Sequence, residues 1–259
     1  MTFLKKSSFF VLLLLLFACG TVGITGRRQL LLMSEAEEVQ LGLSTYKQAM
    51  GQYPEIKTGP QIAMLRRVLS RIAPVTGKNY PWEVRLLKAD NVVNAWCLPG
   101  GKIAFYTGIL KVARTEDEVA AVMGHEIAHA YAHHGNERMS QNMGLKAVAE
   151  ILSLTLSGSG RKGQEMRNNV MLAFGVASKV GVLLPFSRKQ ESEADEIGLH
   201  FMVQAGYDPE AAVRLWERMA KGRAPSTGLD RFLSTHPQPL ERARALQRLI
   251  PKVRAKYGR

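Results

Sequence analysis

Acidic residues are in short supply: 22 Asp and Glu stand against 35 Lys and Arg, a formal charge of +13. Taking Lys5 and Lys6, the only charges among the first 18 residues, away from +13 still leaves +11. Such an excess suits nucleic acid, anionic lipid or acidic partners. Aromatics make up only 7% of the chain, however, and no basic cluster interleaves with them. No nucleic-acid partner is therefore expected, and the surplus reads as a basic solvated surface. Cysteine is nearly absent. Cys19 and Cys97 are the only two and form no CxxC pair, which excludes a disulfide scaffold and a cysteine-built zinc module. Long apolar runs are missing as well. Phe9 to Phe17 is too short to span a bilayer, and Lys146, Glu150 and Lys179 break up the stretch 145–184, leaving neither half near the ~18–20 residues required. Nothing suggests disorder, collagen, a coiled coil or an internal repeat. The 259 residues suit one compact domain with a small appendage.

What is present begins with a leader. Lys5 and Lys6 form a positive n-region and Phe9 to Phe17 an apolar h-region, the plan of a secretory signal. Leu16-Phe17-Ala18-Cys19 resembles a bacterial lipobox, in which Cys19 becomes the lipidated N-terminus after cleavage. Gly20 follows in place of the aspartate that retains such proteins at the inner membrane. By that analogy the chain is an outer-membrane lipoprotein facing the periplasm. The expected division is signal peptide 1–18, glycine-containing tether 19–30, and folded domain 31–259.

Within the domain, Ser34 and the acidic turn after it open a helix to about Gly51. A second helix is expected over Gln61 to Ala73, stopped by Pro74. Strands are expected over Trp82 to Leu87, Asn91 to Leu98 and Lys102 to Tyr106, the last two joined by Pro99-Gly100-Gly101. Thr115 starts a helix with an acidic first turn that runs to about His134, with Gly135 as its stop. The stretch 145–184 reads as two core or lid helices joined at Ser157-Gly158-Ser159-Gly160. Further helices are expected over Glu191 to Ala205, from Asp208-Pro209 to Lys221, and over Leu240 to Arg254 with an interruption at Pro251. The fold class is α+β, mainly helical, with a small sheet beside the Thr115 helix.

That helix carries His125-Glu126-Ile127-Ala128-His129, an HExxH pattern. Residues four apart share a helix face, so both imidazoles can reach one ion. Glu126 lies beside them as general base, free to take a proton from attacking water. The flanking Val119, Ala120, Val122, Met123 and Ile127 make the helix apolar nearly all round, so it is expected to be buried. A catalytic zinc needs three protein ligands and an open position. Ala132 and Gly135 exclude the metzincin extension. Downstream, Glu191 and Asp195 stand four apart on one helix: Glu191 is the expected third ligand, and Asp195 can hold a ligand histidine in its tautomer. Glu193 is the rival ligand, but it points about 160° away from Glu191 on a helix. His133 and His134 are expected to be structural, and Cys97 a buried thiol.

HExxH, ExxAD, the Asn94-Ala95-Trp96-Cys97-Leu98-Pro99-Gly100-Gly101 segment and Ser234-Thr235-His236-Pro237 occur in that order. Together they resemble the zinc metalloendopeptidase family of the CAAX prenyl-protein endopeptidase, HtpX, the mitochondrial Oma protease and BepA, over roughly Leu30 to Leu249. Within that family the chain looks most like the soluble, lipid-anchored bacterial members. The resemblance implies a gluzincin-type domain and one Zn2+ per chain. It implies that Asn94 and Ala95 lead into the sheet edge on which substrate backbone is laid. It also implies that His236 approaches the zinc, either as a latching fourth ligand or as an oxyanion stabiliser, with Arg242 supporting its loop. The expected activity is hydrolysis of unfolded or misassembled cell-envelope polypeptides. The expected partners are those clients, the membrane through lipidated Cys19, and outer-membrane assembly machinery. The alternative is a chaperone-like assembly factor with a latent protease site.

Overall fold

The computed structural model describes residues 19–156, 165, 186–222 and 229–258. The expected signal peptide, and the expected lid helices beyond residue 156 save residue 165, lie outside them. The chain forms two compact units, residues 1–34 with 135–184, and residues 35–134 with 185–259.

In the first unit the expected tether is instead a hairpin. β1 (Cys19–Thr21) pairs antiparallel with β2 (Arg28–Leu30), Cys19 opposite Leu30. Val22 is buried beneath its turn. Arg27 donates to both carboxylate oxygens of Glu137, at 2.6 and 2.9 Å. The two-pronged pairing ties the hairpin to the first turns of α4 (His134–Leu156).

The second unit is built on a four-stranded sheet. β3 (Glu55–Ile56), β4 (Glu83–Leu87), β5 (Ala95–Leu98) and β6 (Lys102–Tyr106) lie in the order β3-β4-β6-β5. β4 and β6 run parallel, with Val84 opposite Ile103, and β5 is an antiparallel edge strand on β6. β5 is shorter than the expected Asn91 to Leu98. Asn94 Oδ1 accepts from the Ala95 N–H at 2.9 Å, and Val92 N–H turns back to Ala89, so local bonds displace the ladder there. Helices α1 (Glu35–Ala49) and α2 (Pro60–Ile72) match the expected positions, and Pro74 falls in a 3-10 turn over Ala73–Thr76.

Helix α3 (Glu116–Tyr131) is the centre of this unit. Thr115 caps it by accepting from Glu118 N–H, while Glu118 accepts from Arg114 N–H and pairs with Arg218. Val119, Ala120, Met123, Ile127 and Ala128 are fully buried. The helix stops earlier than expected. His133, not Gly135, takes the left-handed conformation, φ 55°, and Glu38 holds its Nδ1 at 2.6 Å; a buried carboxylate offsets the strain of a non-glycine residue there. Gly135 then lies inside α4.

Helix α5 (Arg188–Gln204) starts with a capping box between Ser187 and Gln190, three residues before the expected start. It crosses α3 at backbone contact: a Cβ on Gly198 would sit 3.0 Å from His125 N. α6 (Glu210–Lys221), α7 (Leu229–Thr235) and α8 (Pro239–Lys256) complete the unit. α8 runs unbroken through Pro251, contrary to expectation. Pro251 and Gln247 are both exposed, so the carbonyl that loses its partner faces water.

Candidate metal centre

Four buried side chains converge. One ligand atom each from His125, His129, Glu191 and His236 lies within 4.8 Å of every other. The HExxH spacing on α3 brings His125 and His129 Nε2 to 3.1 Å. The first turn of α5 delivers Glu191, 3.3 Å from His129 and 3.5 Å from His125. The residue just past α7 delivers His236, whose Nδ1 is 3.3 Å from His125 Nε2 and 3.1 Å from Glu191 Oε1. Zinc–nitrogen bonds of ~2.0–2.1 Å in a tetrahedron imply edges of about 3.3 Å between donors. The donor set therefore fits a zinc ion in both chemistry and spacing.

Electrostatics point the same way. Burial and the Arg242 guanidinium both oppose protonation of His125, yet Asp195 and Glu191 hold its pKa up to about 9. The carboxylates thus call for a cation at this point. Burial, the largest influence on Glu191, raises its pKa, but Arg242 and the three histidines outweigh it and keep the carboxyl well below its usual range. Burial holds His129 well below the ordinary histidine value, so its imidazole is neutral with a lone pair to give. Glu126 is 4% exposed and its Oε1 has no hydrogen-bond partner. Burial raises its pKa, which suits a base rather than a ligand.

The surroundings contain three aromatics that the sequence did not single out, Trp216, Phe186 and Phe232, together with Arg242, which was expected only to support the His236 loop. Arg242, reached by one turn of α8, donates to Asp195 at 2.6 and 2.7 Å and lies 2.8 Å from Glu191. Its guanidinium stacks 3.4 Å over Trp216 of α6. Phe186 stacks on His129 at 3.8 Å between ring centroids, and Phe232 on His236 at 4.6 Å. No spacing in the sequence links these aromatics to HExxH. Glu193, the rival ligand, is turned away from the cluster and meets His134 at 3.0 Å. Asp195 lies 3.1 Å from His125 Nδ1. Asn94 and Ala95 stand at the start of edge strand β5. Cys97, on the same strand, is half-buried where a buried thiol was expected; desolvation and the charge of Glu126 push its thiol up, which argues against a nucleophile. Cys19 stands at the start of β1.

Residues 60–250 match the family described as Peptidase family M48. The chain is 35% identical over 239 residues to the mitochondrial metalloendopeptidase OMA1 of Schizosaccharomyces pombe, covering 91% of this chain and 67% of that protein. The Saccharomyces cerevisiae protein of that name is 28% identical, with 90% and 70% covered. The beta-barrel assembly-enhancing protease of Escherichia coli (strain K12) is 24% identical, with 81% and 43% covered. The chain thus spans about two thirds of the two fungal proteins and under half of the bacterial one. Among the described residues no helix is long and apolar enough to cross a membrane.

Proposed function

The chain belongs to peptidase family M48, a family of zinc-dependent metalloendopeptidases, and we propose that it cleaves unfolded or misassembled polypeptides of the cell envelope with His125, His129 and Glu191 as its metal ligands. The observation that carries the assignment is a buried four-donor cluster with the buried Glu126 carboxylate beside it, 3.7 Å from His236 Nε2 and without a hydrogen bond at Oε1. Zinc, when bound, supplies a Lewis acid that polarises a scissile carbonyl and lowers the pKa of water towards ~7. The chain's own residues do the rest. His125 and His129 present Nε2, and Asp195 and Arg242 fix His125 and Glu191 from behind. Glu126 Oε1 is free to accept the proton of the attacking water and pass it to the leaving amine. Edge strand β5, entered through Asn94 and Ala95, offers backbone groups on which an extended substrate adds as a further strand. An extended backbone is what an unfolded client presents.

A second reading draws support from His236. Its Nδ1 sits inside the donor set, whereas a hydrolytic zinc needs one open position. On this reading the resting site is closed by His236, which moves aside before substrate enters. This latency suits an assembly factor that cleaves only defective clients. The name of the Escherichia coli relative, an assembly-enhancing protease, and the lipobox-like Cys19 support an envelope setting with membrane and assembly-machinery partners.

Casein and a tightly folded protein, each offered to wild type and His236→Ala, test the reading. Faster cleavage of casein by His236→Ala, with the folded protein spared by both, is expected. Slower cleavage by His236→Ala at full zinc occupancy would eliminate the latch and leave oxyanion stabilisation as the role of His236. For the clients, a Glu126→Gln chain cross-linked in an envelope fraction should retain unassembled envelope proteins. Retention of folded proteins only would refute the substrate class.

A further inference from the structure

We propose that His134 and Glu193 form a relay that positions His129, so that the two histidines of HExxH are held in one tautomer by two different devices. This rests on the metal reading above. His134 follows His129 by five residues, and on an unbroken helix it would face about 140° away. The break at Ala132 and His133, with φ 55° at His133, turns the chain so that His134 folds back. Its Nδ1 comes 2.9 Å from His129 Nδ1, the rings 4.9 Å apart and 72° inclined. On its far side, His134 Nε2 lies 3.0 Å from Glu193 Oε2. All three side chains are buried, His134 completely.

Donor and acceptor roles follow from chemistry. A carboxylate only accepts, so with Glu193 ionised the His134 proton sits on Nε2 and its Nδ1 offers a lone pair. His129 Nδ1 must then donate, which leaves His129 Nε2 unprotonated and facing the cluster. The reverse polarity would place a proton on His129 Nε2 and block the site. His125 needs no second histidine: the Asp195 carboxylate lies 3.1 Å from its Nδ1, and Arg242 Nη2, 3.0 Å from the same nitrogen, donates to Asp195 at 2.6 Å. α5 therefore supplies, within five residues, one ligand and the carboxylates behind both histidines: Glu191 to the ion, Glu193 through His134 to His129, and Asp195 to His125. The 160° offset that removes Glu193 as a ligand is what aims it at His134.

His134 and Glu193 are positioning residues, and the test reads metal binding rather than activity. Zinc affinity of the full chain is measured by competition with a chelating dye, and the visible spectrum is recorded with Co2+ in place of zinc. His134→Ala should weaken zinc by about 10- to 100-fold and Glu193→Gln by about 3- to 10-fold, each with a shifted Co2+ band. His200→Ala, a buried histidine on the same helix as Glu193 but paired with Tyr257, should bind zinc within about 2-fold of wild type. Wild-type affinity and spectra in both His134→Ala and Glu193→Gln would overturn the relay, as would an equal loss in His200→Ala. Should His134→Ala fail to fold, Glu193→Gln decides alone. A wild type that binds no zinc would instead sink the metal reading beneath it.

Discussion

Replacing Gly198 by Ala sets two effects of opposite sign against each other. Helix propensity favours Ala over Gly by about 1 kcal/mol. The crossing of α3 and α5 opposes it. A Cβ on Gly198 would lie 3.0 Å from His125 N and 3.1 Å from Gly124 C, where carbon contacts relax at about 3.5–4.0 Å. The helices must part by about 0.5 Å, and their neighbours are packed all round. Overpacking of this kind costs about 1–3 kcal/mol, so the variant should lose about 0–2 kcal/mol net. The displaced helices carry His125 on one side and Glu191 on the other, and sites tolerate about 0.5 Å of error. Zinc affinity should therefore fall along with stability. Urea unfolding of chelator-treated protein gives the first quantity and dye competition the second. A gain of about 1 kcal/mol with unchanged zinc affinity would refute the reasoning, because propensity alone would then decide.

Glu126→Gln should keep one zinc per chain and lose about 10²- to 10⁴-fold in kcat/KM on a peptide substrate; loss of the zinc itself would contradict its role as a base. Arg242→Met leaves Asp195 and Glu191 buried without their cation and should destabilise the chelator-treated protein by about 3–5 kcal/mol in urea. Added zinc should recover part of that loss. Burial works to raise the Glu118 pKa, but Arg218 and the N–H groups of Arg114 and the capped turn bring it below 4.5. A carboxyl so depressed stabilises the fold above its unfolded value and loses that contribution as pH falls through the folded one. Glu118→Gln should therefore cost about 1.5–3 kcal/mol at neutral pH and flatten the fall in stability below pH 4.5, as followed by thermal melts.

The helices and the middle strands were legible because their signals are local. Thr115 with its acidic turn, the Trp82 to Leu87 alternation, and the Pro99-Gly100-Gly101 turn each act within a few residues. HExxH and ExxxD were legible because chemistry demands their spacing. What escaped depends on contacts distant in sequence. His133 ends α3 because Glu38, 95 positions away, holds it in a conformation that local rules assign to Gly135. The hairpin at 19–30 forms where glycines suggested a tether, anchored by Glu137. Pro251 was expected to break a helix whose exposed side tolerates it. The role of Glu193 was hidden by the assumption that a carboxylate near a metal motif either ligates or is spare. Nothing in the spacing of Trp216 or Phe186 announces that they converge on the metal-site histidines, and Arg242 was reached only through the family resemblance.

The most direct test of the central claim is zinc content measured beside casein cleavage for wild type, Glu126→Gln and His236→Ala. The account predicts one zinc in each, cleavage by wild type that chelation abolishes, none by Glu126→Gln, and more by His236→Ala. A folded wild-type chain that takes up no zinc, or one that cleaves casein equally well after chelation, would contradict it.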